Sequence, residues 1–251
     1  MFNSAQEDVI EEYIEEVFDS GIVLSNYFNK SLNNIEFYKT KTTILLNQKT
    51  EHFSRIYFLT SNIDSLIESL SKINTPTVIN FPTKQNIEIF DGVMISSGFK
   101  KYRVYEMYFS DEIKGNDIFV KQFATLSDFE RVKFLLFSSL DHYADHLPND
   151  TELKEMIINE NVLVNYENNE ISGIFIFTIK GKQCYFNFWV DISKNGLFLL
   201  YNMYNYLKEL GISYSYLWVN TENNRVLKIH KLFKCRTNGT KDYIYTKLIN
   251  Q

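Results

Sequence analysis

Apolar residues recur at helical spacing over residues 5–18, where Val9, Ile10, Tyr13, Ile14, Val17 and Phe18 are separated by Glu7, Glu11, Glu12, Glu15 and Glu16. This predicts an amphipathic helix with a solvated acidic face. Strand-like runs follow at 42–47 and 54–60. Ser61-Asn62 then starts a helix over 63–73, a strand covers 77–81, a second helix over 85–96 stops at Gly98, and 100–109 alternates as a strand. After a polar stretch at 110–117 the pattern restarts in a longer form. It predicts a strand at 118–123, a helix over 127–140 capped by Ser127, and a helix from Asn149-Asp150 to Ile158. Strands at 161–166, 171–180 and 183–192, a helix over 197–210 stopped by Gly211, a strand at 214–219, a helix over 223–233 and a strand at 243–249 complete the chain. Residues 53–109 and 184–249 share the order strand, helix, strand, helix, strand, so the sequence reads as a duplicated α/β fold with a shortened first copy. The polar stretch divides the copies, giving expected domains 1–115 and 116–251.

Composition narrows the function. With 45% hydrophobic, 16% aromatic and 23% charged residues, the chain is globular and not disordered, collagenous or low-complexity. A net charge of -5 opposes a sequence-independent grip on nucleic acid or an anionic membrane surface, so neither is expected as a partner. Cys184 and Cys235 lack CxxC spacing and a histidine placed to complete a zinc site, which signals neither a disulfide framework nor a metal. The acidic start lacks the basic and apolar regions of a secretory signal, and no apolar run reaches the ~20 residues of a membrane span. The expected location is the cytoplasm.

The second-half order β-α-α-β-β-β-α-β-α-β resembles the GCN5-related N-acetyltransferase (GNAT) family over residues 118–249. The run from Leu217-Trp218-Val219-Asn220 through Asn223-Asn224-Arg225-Val226 to His230 is similar to the family's strand, "V...N..A...Y" helix and active-site edge. Asp242-Tyr243-Ile244 matches a closing strand, and Ser97-Gly98-Phe99-Lys100 in the first half resembles the family's "GF" helix exit. The resemblance implies a GNAT-like mixed, mostly antiparallel sheet flanked by helices, in tandem with a shortened N-terminal copy. It also implies transfer of an acetyl or other acyl group from acetyl-CoA to a small-molecule primary amine, such as an amino sugar or amino acid derivative.

Residue by residue, the family's phosphate loop R/Q-x-x-G-x-G/A falls on Val190–Phe198, where glycines allow close backbone approach and the following helix offers its positive end. Only Gly196 is a glycine there. The resemblance assigns cofactor binding to Val190, Lys194, Asn195, Gly196, Leu197 and Asn223, with Lys194 either a point charge for phosphate or a solvated loop lysine. In the first copy the corresponding turn, 59–64, has no glycine and carries Asp64, so no CoA is expected there. His230 takes the place of the family's proton-donating tyrosine and is the candidate acid for the leaving thiolate, with an ordinary helix histidine as the other reading. Lys234-Cys235 replaces the family's Gly-Phe after this helix. Arg225, Lys228, Lys231, Lys234 and Arg236 form a basic strip that either meets the 3′-phosphate of CoA or stays solvated. Asp141, Asp145 and His146, beside His142, would border the acceptor cleft and attract or deprotonate an amine, or else satisfy local helix caps. Pro148 and the missing third ligand speak against a metal. A catalytically silent GNAT-like protein that binds a ligand or partner is the alternative to an enzyme.

Overall fold

The computed structural model describes residues 1–27, 35–113, 115, 119–193 and 196–248. In chain order the first elements are β1 (Asn3–Ser4), α1 (Glu7–Asp19), β2 (Leu24–Ser25), β3 (Ile35–Lys39), β4 (Thr43–Lys49), β5 (Ser54–Thr60), α2 (Ile63–Ser71), β6 (Thr77–Thr83), α3 (Glu88–Ser96) and β7 (Lys100–Ser110). A 3₁₀ turn at Leu126–Asp128 leads into α4 (Phe129–Ser139). Then come α5 (Asp150–Ile158), β8 (Val162–Glu167), β9 (Glu170–Lys180), β10 (Gln183–Asp191), α6 (Gly196–Glu209), β11 (Tyr214–Asn220), α7 (Asn224–Leu232) and β12 (Arg236–Lys247). These elements fall into two compact units, Met1–Val104 with Thr240–Gln251, and Tyr105–Gly239.

In the first unit the strands run β1-β3-β4-β5-β6, and Lys241–Lys247 of β12 lies antiparallel to β6. Strand alternation sorts its core. Leu45, Ile56 and Phe58 face α2 and α3, meeting Leu66, Leu70, Phe90 and Tyr245, whereas Ile44, Leu46, Tyr57 and Leu59 face Ile10, Ile14 and Val17 of α1. The glutamates of α1 are exposed, as its periodicity predicts. Asn62 caps α2 by accepting the Ser65 N–H at 2.8 Å.

In the second unit Tyr105–Ser110 of β7 pairs antiparallel with β11, β11 parallel with β10, and β10, β9 and β8 antiparallel in turn. The sheet is thus mixed and mostly antiparallel, as the resemblance implies. Helices α6 and α7 cover one face over Phe175, Phe177, Phe186 and Leu217, while α4 and α5 cover the other over Ile174, Ile176 and Val190. Asn149 and Glu152 form the capping box of α5. At α4 the reciprocal cap is Thr125 with Asp128, not Ser127, because the helix opens with a 3₁₀ turn that moves the first free N–H groups back by two residues.

The duplication is visible in the elements themselves, β5-α2-β6-α3-β7 being repeated as β10-α6-β11-α7-β12. Both final helices close alike. The Phe99 N–H donates to the Met94 carbonyl at 2.9 Å after Gly98 at φ +83°, and the Cys235 N–H donates to the His230 carbonyl at 3.0 Å after Lys234 at φ +59°. Replacement of the family glycine therefore leaves this turn intact, with a lysine in the left-handed region. The final strand of each copy contributes to the sheet of the other unit, since Tyr105–Ser110 pairs with β11 and Lys241–Lys247 with β6. The polar stretch that marks residue 115 in the sequence lies beyond β7, whereas the compact units divide within the exchanged strands.

Five elements differ from expectation. β1, β2 and β3 are strands that the sequence pattern does not predict, and β12 starts at Arg236 instead of 243. Of the run expected as a strand at 118–123, residue 118 is outside the described residues and the rest makes only an isolated bridge, Phe123 to Leu163. The cause is Asn202 on α6. Its side chain accepts the Val120 N–H at 2.8 Å and donates to the Val120 carbonyl at 2.9 Å, so a helix amide takes the bonds that a neighbouring strand would have made.

Candidate active site

β10 and β11 are parallel neighbours only from Gln183–Tyr214 to Phe186–Leu217, yet β10 continues to Asp191 and β11 to Asn220. Beyond Phe186 the two strands part and leave inner-edge backbone groups unpaired by each other. A β-bulge lies at the same place, between Phe186 and Phe188. It shifts the side-chain alternation by one residue. Cys184 and Phe186 face α6 before the bulge, and Trp189 packs on that side after it, while Phe188 and Val190 turn to the α4–α5 face. Without the extra residue Trp189 would belong to the other layer.

The opening is a cavity of about 830 Å³ lined by Trp189, Asp191 and Ser193, by Leu197, Phe198 and Tyr201 of α6, and by Asn223, Arg225, Val226 and Ile229 at α7. Its walls are largely apolar, with a guanidinium and a carboxylate among them. The Asp191 carboxylate accepts from the Ser193 N–H at 2.8 Å and the Ser193 hydroxyl at 2.5 Å through Oδ1, whereas Oδ2 is buried without a partner. Trp189 Nε1 and His230 Nδ1 are likewise buried without partners among the described residues. Two of these buried atoms belong to residues that line the cavity, Trp189 and Asp191, and such unpartnered groups are unusual in a native structure. Gly173 makes room for Asp191, since a Cβ at 173 would stand 2.7 Å from Oδ2. Gly196 opens α6, so the positive end of a 14-residue helix stands at the cavity with Leu197 and Phe198.

Of the residues the resemblance points to, Leu197, Asn223 and Gly196 come together here. Asn223 caps α7 by accepting the Val226 N–H at 3.2 Å. Lys194 and Asn195 lie outside the described residues. Val190 is buried against α4 and α5, so its side chain is on the far face of the sheet. His230 is 2% exposed and meets Trp189 edge-to-face at 6.0 Å, placing it behind the indole and not among the lining residues. Burial pushes its imidazole down to about 4, so at neutral pH the ring is neutral and any proton it gives comes from an N–H, not from an imidazolium. Met94, fully buried, stands at the matching position of α3, so this helix position is a core one in both copies.

Asp141, Asp145 and His146 are in a turn between α4 and α5, and none of them lines the cavity. Asp141 Oδ1 accepts from the Tyr143 and Ala144 N–H groups at 3.0 and 3.1 Å, and Asp145 accepts from the Asp141 N–H at 2.8 Å and the Tyr105 hydroxyl at 3.0 Å. Of the basic strip, Arg225 reaches the cavity, while Lys234 pairs with Glu112 and Arg236 with Asp111. Trp189 and Tyr201 read as core aromatics in the sequence because nothing there announces the bulge or the parting strands. Asp191 and Ser193 carried no signal beyond membership of the loop.

No sequence-family profile and no curated protein sequence matches the chain. Solved structures do. A GCN5-related N-acetyltransferase from Sphaerobacter thermophilus superposes with a TM-score of 0.60 at 8% identity, over 99% of this chain and 88% of that one. A tandem GNAT protein from the clavulanic acid biosynthesis pathway gives 0.57 at 9% identity, over 98% and 97%. The fold is that of the GCN5-related N-acetyltransferases. A GNAT-family acetyltransferase from Colwellia psychrerythraea, at 0.53 and 10% identity, is covered over 99% of both chains. The duplicated elements are thus consistent with the tandem GNAT fold. Both cysteines are free and buried, with the Cys184 thiol pushed up to about 12 by burial. Among the described residues no cluster of three or more His, Cys, Asp or Glu could hold a metal, and no helix is long and apolar enough to cross a membrane.

Proposed function

We propose that the second unit is an N-acyltransferase that moves an acetyl or related acyl group from acetyl-CoA to a small primary amine, with the cavity between the end of β10, α6 and α7 as its donor site. The observation that carries this reading is the parting of β10 from β11 at the bulge, which opens the cavity and places unpartnered polar atoms beside it. The α6 N-terminus and Arg225 suit phosphates, and the apolar lining suits an acyl-bearing arm. The neutral amine attacks the thioester carbon, the carbonyl becomes an oxyanion, and its collapse breaks the carbon–sulfur bond; the nitrogen gives up one proton as the amide forms and the departing thiolate takes one up. Tyr201 lines the cavity and its hydroxyl is the proposed donor for the thiolate, while His230, neutral behind the indole, packs against Trp189.

The acceptor enters from the turn holding Asp141, Asp145 and His146. Tyr105, bonded to Asp145, is the register partner of Asn220, at the β11 end where the strands have parted. This turn would take an amino sugar or amino acid derivative through its acids. Calorimetric titration with acetyl-CoA and CoA, followed by thiol release against a panel of amines, tests the reading. One equivalent bound and amine-dependent thiol release are expected. Tyr201→Phe should keep donor affinity and lower turnover by roughly 10²–10⁴-fold. Binding without turnover on any amine would identify a silent ligand-binding GNAT protein, and no binding at all would remove the donor site.

A further inference from the structure

The first unit has its own pair of parting strands. β5 and β6 are parallel neighbours only at Ser54–Thr77 and Arg55–Val78, although β5 runs on to Thr60 and β6 to Thr83. In the second unit the same divergence opens a cavity. Here the chain's own residues fill it. Leu24 and Ser25 form β2 against Thr60 and Leu59, on the edge of β5 that β6 has left. The Val23 N–H donates to the Thr60 carbonyl at 2.9 Å, and the Asn26 N–H to the Phe58 carbonyl at 3.2 Å.

Asn26 then spans the gap. Its Nδ2 donates to the Ile56 carbonyl at 3.1 Å on β5 and to the Asn80 carbonyl at 2.9 Å on β6, and its Oδ1 accepts the Phe58 N–H at 2.7 Å. The residue is 1% exposed. Asn80 is held in turn by Arg55 and by Asp242, whose Oδ2 accepts from Asn80 Nδ2 at 2.8 Å. An amide side chain that satisfies backbone groups on both strands does what a bound amide-bearing chain would do in an open gap.

We propose that residues 23–26 are a resident strand occupying a second ligand gap, that Asn26 is the residue that keeps it there, and that loosening it turns the first unit into a binder of an extended peptide strand. The proposal does not depend on acyl transfer by the second unit.

The test is hydrogen exchange on the full chain, with a fluorescent peptide of sequence 21–27 as probe. In the unaltered protein the Asn26 and Phe58 amides should exchange as slowly as those of the β4–β5 ladder, and the peptide should not bind. Asn26→Ala removes three hydrogen bonds and should speed exchange at Phe58 by on the order of 10²-fold, and the opened gap should bind the peptide. Asn26→Asp keeps the acceptor for the Phe58 N–H, loses both donations, and serves if the alanine variant does not fold. Rapid exchange at Asn26 in the unaltered protein, or peptide binding by it, would overturn the occupancy. A folded variant with unchanged exchange would remove the role of Asn26, and an opened variant that ignores the peptide would remove the ligand gap. If neither variant folds, the segment is an inseparable part of the core and the proposal fails.

Discussion

Acidification is the perturbation that His230 turns into a measurable stability change. Its imidazole is buried on the face covered by α6 and α7, with Nδ1 unpartnered, and burial lowers its pKa from 6.5 to about 4. The unfolded chain therefore binds a proton more readily than the folded one throughout that interval. Stability from this group is complete above about pH 6.5 and falls as pH drops toward about 4. A difference of this size is worth about 3 kcal/mol in all, of which about 1.5 kcal/mol is lost between neutral pH and the middle of that interval. Other groups also contribute to the pH dependence of stability, so the decisive quantity is the difference between the unaltered chain and His230→Phe. Urea midpoints and m values at several pH values, converted to free energies, should give curves that converge by about 1.5 kcal/mol between neutral pH and the middle of that interval. Parallel curves across the window would show that the imidazole is hydrated or partnered in the folded protein, and the reading of His230 as a neutral buried group would fall with them.

Gly173→Ala should displace the Asp191 carboxylate from its bonds to Ser193 and destabilise by about 1–3 kcal/mol in urea melts, and a change under about 0.5 kcal/mol would mean that the carboxylate has room to turn. Lys234→Gly relieves the left-handed φ of +59° and should stabilise by about 1 kcal/mol, less any contribution from the exposed Glu112 pair; thermal melting of both proteins checks it. A fragment of residues 116–251 lacks the β7 segment that pairs with β11 and should not melt cooperatively, whereas 105–239 retains every strand of the second unit and should, as calorimetry would show.

Much of the fold is legible because its signals are local. The Asn62 cap of α2, the Asn149–Glu152 box of α5 and the alternation in β4 and β5 are each written within a few residues. The site is less so. A bulge is a one-residue mismatch between two strands, and neither strand announces it alone, so Trp189 reads as an ordinary core aromatic. The extended run before α4 looks like a strand by composition, and only the distant Asn202 decides that it pairs with a helix side chain. Asn26 and His230 depend on packing from several elements, and burial, not sequence neighbours, sets the protonation state of the histidine.

The exchanged strands set an order for assembly during synthesis. When a ribosome has released residues 1–104, β6 still lacks the antiparallel neighbour supplied by Lys241–Lys247, so its outer edge carries bare N–H and C=O groups. The pieces of the second unit, 105–239, emerge as one uninterrupted stretch and can close before that neighbour has been made. The part of the polypeptide made first is therefore the last to be completed. Closing it joins segments more than 150 residues apart, which slows the step and leaves an adhesive edge exposed to other nascent chains until Lys241–Lys247 has been made.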